Sequence, residues 1–372
     1  MTLLDKASNL IIRNTKYFGN DFPTPYSTNG YYGISENKDW TTGFWTGQLW
    51  LAYEHTHNEK LKEIADLQVE SFLDRIEKKI EVNHHDMGFL YSLSCVSAYK
   101  LTKNEHAKKA AIMAADNLIL RFQEKGQFLQ AWGELGAKDN YRLIIDCLLN
   151  VPLLYWASEV TGDDKYENIG KRHVTTAMKY IIRDDHSTYH TFFFDSDTGL
   201  PQKGVTHQGY KDDSAWARGQ AWGIYGCALS YKKLKDNSYI EIFDNLLEYF
   251  ISHLPKDLVP YWDLLFTDGS DEPRDSSALA IAICGIFEMS KLVPEKSKYY
   301  KDLADKLLKA LADKCMVNED TKSNGLLLHG TYCKSSPYNT CPNWGVDECV
   351  IWGDYFFMEA LTRAEKDWEL YW

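Results

Sequence analysis

The sequence predicts an all-α fold: an (α/α)6 barrel of six inner and six outer helices, in one catalytic domain spanning residues 1–372. Three observations carry this. Segments apolar on every side alternate along the chain with amphipathic segments that carry Lys and Glu on one face. The pairing recurs six times, each apolar segment opening near an Asp: 39, 86, 146, 213, 275 and 347, spaced roughly 47 to 72 residues apart. A chain of 372 residues suffices for a ring of that size. An open superhelix of helix pairs is the other packing of such repeats. Trp45, Gly47 and Gly223 on the apolar set favour closure, because large and small residues interlock where helices converge.

In chain order, residues 3–18 carry a helical stripe (Leu3, Leu4, Ala7, Leu10, Ile11). A loop with Pro23, Pro25 and Gly30 leads to Asp39-Trp40-Thr41-Thr42-Gly43-Phe44-Trp45 and the first inner helix. The outer helices are expected near 59–78, 104–123, 164–183, 236–254 and 296–314. Between them lie the inner segments after His84-His85-Asp86, around Leu143–Leu149, after Asp213, after Asp275, and from Asp347 to near Lys366. Phe128–Gly133 reads as a strand-like loop, and Tyr189–Gly209 as a β-tending insertion.

The totals narrow the function. Formal charge is 41 − 53 = −12, which disfavours nucleic acid and anionic membrane as partners. No run approaches a membrane span, and the N-terminus lacks a basic region followed by an apolar one, so no signal peptide is expected. Eight cysteines occur without a CxxC pair, four of them (Cys95, Cys147, Cys227, Cys284) within apolar helical patterns. Reduced thiols in a cytoplasmic protein are the expectation. Twelve Trp and 24 Tyr are many for a helical protein; core packing alone could use them, and sugar clefts also use flat aromatic faces.

An Asp before a helix is first an N-cap, which suffices for Asp39, Asp213 and Asp275. If all inner helices start at one end, their first residues also line one cleft. Asp86 follows two His and precedes Gly88, more than a cap requires. Asp146 stands between Ile144-Ile145 and Cys147-Leu148-Leu149. In so dry a setting a carboxyl holds its proton near neutral pH, as a general acid must, unless Arg142 pairs with it. Two such carboxylates suit glycoside chemistry. Trp40, Trp132, Trp216 and Trp222 are candidate walls for a sugar ring. Arg218, a turn from Trp222, is a candidate partner for a substrate carboxylate, with a salt bridge to Asp212 or Asp213 as its alternative. His84, His85, His190 and His207 show no metal-ligand spacing, so no metal is expected.

These stretches resemble the unsaturated glucuronyl hydrolases of glycoside hydrolase family 88 over nearly the whole chain. The motifs are Asp39–Trp45, His84–Phe89, Gln130–Gly133, Ile144–Asn150, Tyr189–Thr191, Thr206–Gly209, Trp216–Gly223, Arg274–Ser277 and Ile351–Tyr355. The resemblance implies an (α/α)6 barrel, no cofactor, and removal of a 4,5-unsaturated uronic acid from the non-reducing end of oligosaccharides made by polysaccharide lyases. It makes Asp146 the acid that protonates C4 and Asp86 the second essential carboxylate. Trp40, His85, Trp132, His190, Gln208, Arg218 and Trp222 become substrate-binding residues. Some members carry a Ser- and Lys-containing sulfate-recognition motif in the 326–347 loop. This chain has Lys334, Ser335 and Ser336 there, candidate sulfate contacts at a different spacing. A monomer or weak homo-oligomer is expected. The competing readings are an unsaturated rhamnogalacturonyl hydrolase acting on pectin fragments and a non-catalytic sugar-binding barrel.

Overall fold

The six all-round apolar segments form six inner helices: Thr42–Thr56, 87–102, Pro152–Thr161, Ala217–Leu234, Ser276–Leu292 and Ile351–Glu365. Six outer helices wrap them: Leu3–Phe18, Glu59–Glu77, Glu105–Ile119, Lys165–Ile181, Ser238–Ser252 and Ser297–Cys315. The computed structural model describes residues 1–318 and 320–372. Nearly every residue in the first two or three turns of the inner helices is buried, whereas the outer helices bury only one stripe.

Closure rests on small residues, as the sequence suggests. Gly47 of the first inner helix meets the Tyr355 ring of the sixth; an added Cβ would lie 2.6 Å from it. Gln48 also donates to the Ile351 carbonyl across that seam, at 3.3 Å. The open superhelix is therefore excluded. The far end is plugged by residues 366–372. Trp372 stacks on Phe356 (centroids 5.8 Å apart) and donates to Glu359 at 2.9 Å, and Trp368, Leu370 and Tyr371 are buried. The cleft at the other end, where the inner helices begin, is the one this plug leaves open.

Three short antiparallel strands lie at the open end: Arg142–Ile144, Thr191–Phe194 and Pro201–Val205, with the second in the middle. They correct the reading of Leu143–Leu149 as one helical run. Ile144 pairs with Thr191, Ile145 donates to the His190 carbonyl, and residues Ile145–Leu149 form a single 3-10 turn before the helix at Pro152. Pro152 has no N–H to give, so the α-helix starts there at no cost to its ladder.

The Asp positions divide. Asp275 caps its helix, accepting from Ser277 N–H at 3.2 Å. Asp39 sits a few residues upstream, accepting from the Thr41 amide and hydroxyl. Asp213 is exposed, pairs with Lys211 and caps nothing: its helix starts at Ala217. Asp347 pairs with His329, and the last helix starts at Ile351. All eight cysteines are free and buried. Among the described residues no single helix is long and apolar enough to cross a membrane.

Candidate active site

A cleft of about 360 Å³ opens at the inner-helix starts. Its lining includes Asp86, Asp146, His84, Trp40, Trp132, Gln208, Arg218 and Trp222. The carboxylates come from neighbouring repeats. Asp86 opens the second inner helix; Asp146 lies in the 3-10 turn before the third. Gly88 lets these two segments touch: a Cβ there would fall on the Asn150 backbone. Asn150 in turn accepts from the Phe89 N–H at 2.9 Å, tying the segments together.

Between the carboxylates lies His85, fully buried. Its Nε2 is 3.4 Å from Asp86 Oδ1 and 3.3 Å from Asp146 Oδ1, and neither ring nitrogen makes a hydrogen bond of good geometry. Burial lowers its pKa to about 4, so the imidazole is neutral at pH 7. Asp146 is 18% exposed, opening only toward the cleft, and its Oδ1 is buried without a partner. Burial first, then the charge of Asp86, pushes its carboxyl well above the usual range, against a smaller pull from Arg218. Burial also acts on Asp86, but His85, His84 and the Asn150 amide outweigh it and hold this carboxyl below its ordinary value. One site therefore holds a carboxyl that keeps its proton more tightly than usual beside one that gives it up more readily, the separation that acid–base chemistry requires. Arg142 does not neutralise Asp146. It stacks on the Trp132 ring, 4.7 Å from its centroid, and on Phe193.

His84 flanks Asp86 from the cleft side, Nδ1 to Oδ2 at 3.0 Å, with its Nε2 3.0 Å from the Glu81 carbonyl oxygen. Arg218 is buried, and its salt-bridge partner is Asp275, not Asp212 or Asp213. Its Nη groups donate to Asp275, the Thr331 and Tyr332 carbonyls, and Gln208 Oε1. No Nη donor is left over for a substrate carboxylate. Arg218 instead fixes Gln208 and the 331–332 loop while lending its charge to the cleft.

Two other predicted residues lie behind the wall. His85 supports both carboxylates from beneath. His190 is buried, bonded to the Thr191 hydroxyl and the His207 N–H, with its ring edge-on to Trp216. Its neighbour in the hairpin, His207, lines the cleft instead. The three candidate sulfate contacts are outside the lining and already partnered: Lys334 with Glu272, Ser335 with Asn343, Ser336 with the Tyr210 carbonyl.

Several residues that shape the site carry no signal in the sequence. Buried Arg75, on an outer helix, donates to the carbonyls of Lys38, Asp39, Ile80 and Glu81 and to Asn37 and Thr42. It fixes the loops that carry Trp40 and His84. Arg121 does the same for the Trp132 loop, through the Gln130 and Gly133 carbonyls and Asn83. Tyr332 and Trp344 arrive from the distant 326–347 loop to form the opposite wall, and the Tyr332 hydroxyl accepts from Trp40 Nε1 at 3.0 Å.

Among the described residues, His85, Asp86 and Asp146 also form the one group whose ligand atoms lie close enough to hold a metal, within 4.8 Å of one another. A carboxyl that keeps its proton is a poor cation ligand, so the donor chemistry of this trio suits proton transfer better.

Comparison with known proteins agrees with this architecture. Glycosyl Hydrolase Family 88 matches residues 11–359. The unsaturated chondroitin disaccharide hydrolase of Streptococcus agalactiae is 51% identical over 372 residues, 99% of this chain and 92% of that protein. A crystal structure of unsaturated glucuronyl hydrolase from S. agalactiae superposes with a TM-score of 0.95 at 50% identity, covering 100% of this chain and 94% of the other. A mutant of that enzyme complexed with dGlcA-GalNAc6S gives 0.87 at 47% identity, covering 100% and 92%. The chain belongs to glycoside hydrolase family 88.

Proposed function

We propose that this glycosidase releases the 4,5-unsaturated uronic acid from the non-reducing end of lyase-generated glycosaminoglycan oligosaccharides. The observation that carries the chemistry is a pair of carboxyls on either side of one buried imidazole, Asp146 with its pKa raised by burial and the Asp86 charge, and Asp86 with its pKa lowered by His85 and His84. The relatives named as unsaturated chondroitin disaccharide and unsaturated glucuronyl hydrolases support the substrate class.

The bond attacked is a vinyl ether, C4=C5 conjugated to the ring oxygen. Asp146 gives its proton to C4, and positive charge develops on C5 and the ring oxygen. The Asp86 carboxylate stabilises that charge in a site with little water to screen it. Water adds at C5 and returns a proton to Asp146. The hemiketal opens by breaking the bond from C5 to the ring oxygen, leaving a C5 ketone and a hemiacetal at C1. Collapse of the hemiacetal expels the remaining sugar and leaves a 4-deoxy-5-keto uronate. No displacement at the anomeric carbon is needed, so the carboxylates need not flank C1 as in ordinary glycosidases.

Trp40, Trp132 and Trp222 supply ring faces, and Gln208 and His207 supply polar contacts. No metal or organic cofactor takes part in this scheme. We read residues 1–372 as one catalytic domain, cytoplasmic and monomeric or weakly associated; eight free thiols support a reducing location. The test is loss of ultraviolet absorbance of the conjugated C4=C5 bond on adding the enzyme to unsaturated chondroitin, hyaluronan and heparin disaccharides. Turnover of rhamnogalacturonan products alone would move the assignment to pectin.

A further inference from the structure

Two thiols stand at the ends of a loop in the wall of the cleft. Cys333 Sγ lies 3.1 Å from the Pro342 carbonyl oxygen, and Cys341 Sγ lies 3.1 Å from that of Lys334, so each sulfur reaches across to the other's end. The two thiols are also hydrogen-bonded to each other. Paired backbone hydrogen bonds between Cys333 and Trp344, at 3.1 and 3.0 Å, hold the base of the loop. The other cysteines have different surroundings. Cys95 and Cys349 meet Ser hydroxyls, Cys227 and Cys284 meet carbonyls, and Cys147 and Cys315 pack in the apolar core. Cys333 lines the cleft, whereas Cys341 is buried outside its lining.

The loop between the two thiols holds the segment that carries His207 and Gln208. The Thr340 hydroxyl, next to Cys341, is 3.0 Å from His207 Nδ1. Asn339 donates to the Gly209 carbonyl at 2.8 Å, and Ser336 donates to that of Tyr210. A displacement of Cys341 is therefore felt at two residues of the cleft. We propose that Cys333 and Cys341 are a peroxide-oxidisable dithiol, and that closing it to a disulfide weakens substrate binding in the adjoining cleft. The Cys333 thiolate attacks one oxygen of hydrogen peroxide, and the O–O bond breaks. That oxygen stays on sulfur as a sulfenic acid; the other leaves as hydroxide and takes up the thiol's proton to become water. The Cys341 sulfur then attacks the Cys333 sulfur. The S–S bond forms, the S–O bond breaks, and the hydroxide leaves with the Cys341 proton as a second water. Two thiols thus lose two electrons and two protons, and the peroxide is reduced to two waters. The surroundings set the order of attack. The hydrogen bond from Cys341, with the nearby Arg218 charge and against burial, holds the Cys333 thiol below its ordinary pKa, and the same bond raises that of Cys341. Bond formation takes Cys341 off the Lys334 carbonyl and draws Thr340 away from His207. A pair that is reduced at rest and oxidised transiently suits a reducing compartment.

The experiment treats the reduced enzyme with hydrogen peroxide, blocks the remaining thiols and maps its peptides by mass spectrometry. The expected product is lighter by two hydrogens, yields a peptide linked through Cys333 and Cys341, and returns to the starting mass with dithiothreitol. A sulfenic or sulfinic acid without that link, a link between other cysteines, or no reaction overturns the dithiol. The linked enzyme is expected to show a KM about 3–10-fold higher for an unsaturated chondroitin disaccharide, the scale of one lost hydrogen bond, with kcat within about twofold. Cys341→Ser keeps a donor for the Lys334 carbonyl; it should match the reduced enzyme's KM and not respond to peroxide. An unchanged KM in the linked enzyme, or a KM that still rises with peroxide in Cys341→Ser, overturns the effect on the cleft. The kinetic arm rests on the reading of the cleft as the site that cleaves the unsaturated uronic acid; the peptide map does not. Absence of disaccharide turnover in the reduced enzyme overturns that reading alone. Disaccharide affinity by tryptophan fluorescence, before and after peroxide, then takes the place of KM, with the same fold-change expected and an unchanged affinity overturning the effect.

Discussion

Asp86 and Asp146 share one nitrogen, Nε2 of His85, which stands 3.4 Å from the first carboxylate and 3.3 Å from the second. The imidazole is buried and neutral, so it spaces the two acids without neutralising either. Two carboxyls this close cannot both ionise cheaply. Asp86 has His84, His85 and Asn150 to hold its charge, so Asp146 is the one that binds its proton more tightly.

That division predicts a bell-shaped pH profile. Asp86 works ionised and its pKa is lowered, so activity is lost as pH falls through that lowered value. Asp146 works protonated and its pKa is raised, so activity is lost as pH rises through it. The Asp86 charge is one cause of that raised value. In the residual activity of Asp86→Asn the alkaline limb therefore shifts to lower pH. An alkaline limb that stays in place would disconnect the two groups.

Gly88 is predicted to matter for rate more than for folding. A methyl group there meets the Asn150 backbone and pushes the Asp86 segment away from the Asp146 turn. Gly88→Ala should lose about 100-fold in kcat/KM, the scale of a misplacement near 1 Å. Steady-state kinetics on a variant that still melts cooperatively checks this.

Arg75 is a buried cation held by neutral oxygens, six of them by its three nitrogens. Lys cannot reproduce that fork. Arg75→Lys should cost about 2–3 kcal/mol of stability, measured by urea unfolding, and raise KM because the Trp40 and His84 loops loosen.

The barrel is also predicted to weaken in mild acid. His173 is fully buried and accepts from the Leu129 N–H at 3.0 Å, and burial lowers its pKa to about 3. The unfolded chain then binds a proton more readily than the folded one between about pH 6.5 and 3. Stability falls as pH drops through that window, by about 1.4 kcal/mol per pH unit for this group. His173→Gln keeps an acceptor for Leu129 and should flatten the slope by that amount between pH 6.5 and 5. Equal slopes would show that His173 is not the group titrating.

Because His85, Asp86 and Asp146 have the spacing of a metal site, chelation is informative. Activity is expected to survive exhaustive treatment with EDTA unchanged. Loss on chelation and recovery with a divalent cation would replace the acid–base reading with a metal-assisted one.

The ring was legible because its signal is repeated. Six alternations of all-round apolar and one-sided helices leave few other packings, and Gly47 closes the ring against Tyr355 as a small residue at a seam should. Asp146 was legible because no polar neighbour surrounds it in sequence. What was not legible depends on contacts between distant segments. Arg75 sits on an outer helix and Arg121 in the turn just after one, where an Arg reads as solvated charge, yet both turn inward to hold loops. Tyr332 and Trp344 reach the cleft from a loop without periodicity. His190 and His207 lie in one hairpin, and only the strand register decides which faces the cleft. Arg218 shows the same limit: its type suggested a ligand for a carboxylate, and its partners prove to be Asp275, Gln208 and two carbonyls.

The central claim is that Asp146 donates the proton to C4. Its most direct test is Asp146→Asn, which keeps the shape of the side chain and removes the acid. With an unsaturated chondroitin disaccharide, the account predicts a fall in kcat of about 10²–10⁴-fold, with the dissociation constant nearly unchanged. A variant that retains kcat within about threefold would contradict it.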